Sequence, residues 1–134
     1  MVAHNEKPIL YCKTQIEWRD WLANTDSAGV RLQLVKKSSS LPGISYAQAV
    51  DEALCVGWID GQASSLDADF YLQSFTLRRP RSSWSQINRG HVARLISEGR
   101  MRPSGLAQID AAKADGRWEV AILEPGEAVH PQKL

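Results

Sequence analysis

The residues best suited to chemistry fall in one run, Arg78-Arg79-Pro80-Arg81-Ser82-Ser83-Trp84-Ser85-Gln86-Ile87-Asn88. Guanidiniums offer forked donors that match phosphate or carboxylate, and the free N–H groups at a helix start attract anions. Ser85 reads as the N-cap of a helix, with Asn88 where a capping-box partner would sit. Two roles fit the run. Either the arginines pair with local carboxylates while Trp84 plugs the core, or the run holds something negative from outside. The second role draws in Lys37 at a strand end, Trp58 as a flat aromatic wall, and Asp60, which otherwise serves to neutralise one of the arginines. The candidate ligand-binding set is therefore Lys37, Trp58, Asp60, Arg78, Arg79, Arg81, Trp84, Ser85 and Asn88. No catalytic residue, metal ligand or cofactor is nominated.

Charge bounds the kind of partner. Across 134 residues the net charge is only +1, which argues against strong global attraction to nucleic acid or membranes. The distribution is uneven: residues 78–102 hold Arg78, Arg79, Arg81, Arg89, Arg94, Arg100 and Arg102 against one acid, Glu98. A basic patch on a near-neutral protein is the consequence, and its partner would be an anionic small molecule or an acidic protein surface. Cys12 and Cys55 form no CxxC, and His4, His91 and His130 lack metal-ligand spacing. No apolar segment follows Met1 and no run approaches membrane-spanning length, so the expected location is the cytoplasm.

A chain of this length, 43% hydrophobic and 23% charged, can bury one core. The spacing predicts a single α+β domain over residues 8–120 and a flexible tail over 121–134. Thr14-Gln15-Ile16-Glu17 is a capping box that starts a helix from about Gln15 to Ala23, with Trp18, Trp21 and Leu22 on one face. Val30, Leu32 and Leu34 alternate with Arg31 and Gln33 as in a strand with one buried face. Ser45-Tyr46-Ala47-Gln48 starts a second helix, which Gly57 stops near Val56. Strands near 58–64 and 69–77 flank Ser65–Ala68 as an antiparallel hairpin. A helix follows Ser85, with Ile87, Val92, Leu95 and Ile96 inward and Gly99 at its end. Pro103 opens another over 104–114, closed by Gly116, with Trp118 folding back on Leu106 and Ile109. The expected architecture is an antiparallel sheet of about three strands packed with four or five helices.

Three segments in order carry a family likeness: Glu52–Gly61, Phe75–Asn88 and Glu98–Leu106. Together the chain resembles the YdeI/OmpD-associated family, often labelled bacteriocin-protection proteins, over roughly residues 10–120. That resemblance implies a link to envelope stress or bacteriocin resistance and brings no reaction, cofactor or catalytic residue with it. The sequence departs from the family pattern in two places. Members usually continue into a further basic, helical C-terminal segment. Arg102 stands where a hydroxyl cap would be more usual, at a cost of about 1 kcal/mol of helix capping.

Function classes narrow accordingly. A non-enzymatic binding module with the arginine seam as its site is the leading expectation. Nucleic-acid binding is an alternative, since the helices near 86–98 and 104–114 resemble a helix-turn-helix, but Lys113 is the sole base on the second. An enzyme is the other alternative, with Asp60 as general acid or base. No glycine-rich phosphate loop and no Ser/His/Asp spacing supports it.

Overall fold

Hydroxyl caps start three helices in the computed structural model, which describes residues 6–120. Thr14 and Ser45 both form full capping boxes, with Glu17 and Gln48 as their reciprocal partners. They launch α1 (Gln15–Asn24) and α2 (Tyr46–Cys55). Ser85 caps α3 (Gln86–Ser97) by accepting from Asn88 N at 3.0 Å. The fourth helix, α4 (Pro103–Ala114), has Arg102 as N-cap and no side-chain cap bond, as its sequence implied. Gly57, Gly99 and Gly116 have φ of +83°, +71° and +86°, which is why the chain turns at each.

The strands are β1 (Ile9–Tyr11), β2 (Gly29–Val35), β3 (Trp58–Ser65) and β4 (Phe70–Leu77), in sheet order β1-β2-β4-β3. β3 and β4 form the expected antiparallel hairpin, and β4 runs antiparallel to β2. The sheet is nevertheless mixed: β1 pairs in parallel with β2, making a β-α-β crossover through α1. The expectation of a three-stranded antiparallel sheet is therefore corrected to four mixed strands, with four helices among the described residues. A register shift between Asp60 and Ala63 bends β3, and Gln73 Nε2 donates to Gly61 O there. The expected tail, 121–134, lies outside the described residues.

Trp18 anchors the core. It is fully buried, stacks on Trp21 at 5.6 Å, tilts against Phe75 at 5.4 Å, and its Nε1 donates to Ala49 O at 3.0 Å. An indole buried this way contributes packing without leaving its N–H unmet. Val30, Leu32 and Leu34 from β2, with Ala53 and Leu54 from α2, complete the centre. On α3 only Val92 and Leu95 are buried; Ile87 and Ile96, expected inward, are 40% and 48% exposed. Trp118 does fold back against the core, and meets Trp84 at 5.0 Å in edge-to-face contact. No helix among the described residues is long and apolar enough to cross a membrane.

Candidate functional site

The seam is built where β4 ends. Arg78 N donates to Gly57 O at 3.0 Å, holding the chain beside the start of β3 for one residue past the strand. Proline then prevents further pairing. Ser82 N donates to Arg79 O at 3.1 Å, and Arg81 has φ of +63°. Pro80 at the second position and a positive φ at the third define a type II turn. A non-glycine residue in that region costs roughly 1–2 kcal/mol. Arg79 and Arg81 are thereby exposed on a turn, while Arg78 beneath it is 5% exposed.

Arg78 is held without an acid in contact. Its guanidinium carbon lies 3.7 Å from the centre of the Trp84 ring, and Nη1 donates to Ser82 Oγ at 3.1 Å and Ser83 O at 3.0 Å. Nε and Nη2 of Arg78, with Nε1 of Trp84, are buried and have no acceptor among the described residues. Burial pulls the Arg78 guanidinium down to about 10; neighbouring Arg117 adds to the fall, and Asp60 opposes it through space. At neutral pH the group stays charged. Arg117 was not nominated from sequence. It donates to Ser82 O at 2.8 Å and pairs with Asp115 at 2.8 Å, so two cations grip one turn.

The nominated residues divide. Arg78, Arg79, Arg81, Trp84, Ser85 and Asn88 do gather at this strand-to-helix junction. Asp60 is near enough to act on Arg78, yet its carboxylate accepts from the Tyr46 hydroxyl. Trp58 is 3% exposed and packs edge-on against Trp21 at 5.8 Å, so it is a core residue and not an open wall. Lys37 follows the Val35–Phe70 end of the sheet, whereas Arg78 follows the Gly29–Thr76 end. About 23 Å of strand separates them, and Lys37 leaves the set.

Two arginines further along the basic run are neutralised, whereas Arg89 donates to Trp118 O at 3.1 Å. Arg94 pairs with Asp51 at 2.6 Å, and Arg100 bonds Glu98 at 3.0 Å and Glu52 at 2.9 Å. Glu52, with its side chain 4% exposed, also takes Arg19 through Nε at 2.9 Å and Nη2 at 3.0 Å, and Gln15 at 2.7 Å. Burial alone would raise this carboxyl, but the bonds from Arg19 and Gln15 outweigh it and hold the pKa below the ordinary glutamate range. A legible signal existed: Glu52 sits between Ala49 and Ala53 on an otherwise apolar helix face. Beside this network a groove of about 620 Å³ runs between α1 and the start of α4, its lining including Leu22, Val56, Arg102 and Ser104. Cys12 and Cys55 are free thiols, each pushed up to about 11 chiefly by burial, and are unsuited to nucleophilic work.

Fold and seam together define a small α+β domain with a cationic strand-to-helix junction. The chain belongs to the DUF8412 family, described as a domain of unknown function, whose family model matches residues 10–108. No curated protein and no solved structure matches it. The matched span includes all of Arg78–Asn88.

Proposed function

We propose that this chain is a non-enzymatic binding module that holds an anionic small molecule or an acidic partner at its arginine-rich seam. One contrast carries the reading. Arg94 and Arg100 are neutralised by Asp51, Glu52 and Glu98, whereas Arg78 and Arg81 have no carboxylate within ion-pair distance among the described residues. Charge left unpaired at a fixed, strained turn is an arrangement that folding alone does not require. The likeness to the YdeI/OmpD-associated family belongs with this proposal, and would connect the binding to stress or bacteriocin resistance.

Calorimetry of the full chain against nucleotides, sugar phosphates and organic acids tests the reading. Binding should appear for at least one anionic class and weaken at least tenfold in Arg81→Glu. Silence across the panel, or affinity indifferent to that substitution, refutes it. The enzymatic alternative is separated by Asp60→Asn, which should leave binding intact.

A further inference from the structure

The geometry points to a built-in site for one small oxyanion, a phosphate or a carboxylate, held by the Nε–Nη2 edge of Arg78 with Trp84 Nε1 as a further donor. This deepens the reading above and rests on the seam being an anion site. Three observations lead to it.

Arg78 uses only Nη1, for Ser82 and Ser83, and leaves the Nε–Nη2 edge of its fork without an acceptor among the described residues. That edge is the one that grips two oxygens side by side. The protein itself supplies the template: Arg19 binds the Glu52 carboxylate through the same pair of atoms, at 2.9 Å and 3.0 Å. Second, the unmet donors come in company. The guanidinium lies over the Trp84 ring, and the indole N–H of that ring is also unmet, so two side chains in one stack share the deficit. Buried donors are nearly always paired, and each left unpaired costs about 1–3 kcal/mol, more when charged. Third, Arg117 lies close enough to oppose the charge on Arg78. An anion would relieve that repulsion as well as satisfy the donors. Asp60 pulls the other way through space, but it makes no ion pair with Arg78; one of its oxygens accepts from the Tyr46 hydroxyl.

The donor atoms are covered, so an anion reaches them only when the 79–83 turn lifts. Among the fastenings of that turn to the body are the Arg78 and Arg117 bonds to Ser82 and Ser83. The anion would hold the turn down by binding its anchor.

Urea melts of the full chain in inorganic phosphate, against chloride at matched ionic strength, test this. A ligand that binds only the folded state stabilises it by a term that rises logarithmically above Kd. Wild type should show that saturable gain. Trp84→Phe, which keeps the ring and loses the N–H, should weaken phosphate about tenfold. Arg78→Lys, which keeps the charge and loses the fork, should weaken it at least tenfold, and Arg78→Met should abolish it. Arg94→Ala, at a guanidinium already held by Asp51 and outside the seam, should leave the saturable gain unchanged. In wild type the Arg78 Nε–H NMR signal should shift as phosphate saturates, a readout that needs no variant to fold. A gain that is linear in salt and equal in all variants overturns the inference, as does an Arg78 signal indifferent to phosphate. Saturable binding that survives Arg78→Met but is lost in Arg81→Ala also overturns it, while leaving the outward-facing seam of the proposed function standing.

Discussion

Replacing Glu52 by Gln should remove the fastening that joins α1, α2 and the α3–α4 connection. The carboxylate accepts four side-chain bonds, from Gln15, twice from Arg19, and from Arg100. Breaking a fully buried pair by removing one partner costs about 3–5 kcal/mol. Here the partners are less buried, with Arg19 side chain 44% and Arg100 29% exposed, so water recovers part of their charge. A loss of about 2–3 kcal/mol is expected after that discount. With a urea m-value of about 1–3 kcal/mol/M, the midpoint should fall by roughly 0.7–3 M. The pH dependence has a definite sign. The folded carboxyl titrates below its unfolded value, so its contribution is present above about pH 4.3 and fades as pH falls through the folded value. Glu52→Gln should therefore flatten part of the acid limb of the wild-type stability curve. Urea melts followed by tryptophan fluorescence, at pH 7 and at steps below pH 5, measure both effects. A variant within 0.5 kcal/mol (roughly the scatter of an ordinary surface substitution) at pH 7, or one with an unchanged acid limb, refutes the reasoning.

Three further outcomes follow from the geometry. A Cβ at Gly105 would lie 2.3 Å from Cys55 O, a backbone atom that cannot swing away, so Gly105→Ala should destabilise by about 1–3 kcal/mol in the same melts. Arg81→Gly should relieve the positive φ, keep the fold at equal or slightly higher stability, within about 1 kcal/mol, and still weaken calorimetric binding of an anionic ligand. Thr14→Ala should cost about 1 kcal/mol, because it removes the hydroxyl that accepts from Glu17 N at 3.2 Å.

Local features were legible in the sequence because their causes are local. The Thr14, Ser45 and Ser85 caps, the three glycine stops and the alternation of β2 each depend on a few neighbouring residues. β1 was not legible: of its three residues two are exposed and one is only partly buried, and it exists because β2 offers an edge, with Arg31 N donating to Pro8 O at 2.7 Å. Ile87 and Ile96 carried a helical period but fall to the sides of the face that Val92 and Leu95 bury.

The site was half legible for the same reason. Arg78 through Asn88 converge because they are contiguous across a turn and a cap. Lys37 failed because residue type at a strand end does not say which end of the sheet the antiparallel register assigns. Trp58 failed because an aromatic next to a glycine stop reads alike whether it faces water or Trp21. Arg117 was missed because only the chain reversal after α4, with Trp118 N donating to Ala112 O at 3.1 Å, brings it back to Ser82. Arg94 and Arg100 counted as basic patch in sequence because their acids, Asp51 and Glu52, come from a helix more than forty residues earlier.

The central claim is that the cations at this junction are left for an external anion. Chemical-shift mapping of the isotopically labelled full chain, titrated with inorganic phosphate at constant ionic strength, tests it most directly. The account predicts saturable shifts centred on Arg78–Asn88 and Arg117, with Arg94 and Arg100 unmoved behind their own carboxylates. Shifts centred instead on the groove at Arg102, or no saturable shift anywhere, would contradict it.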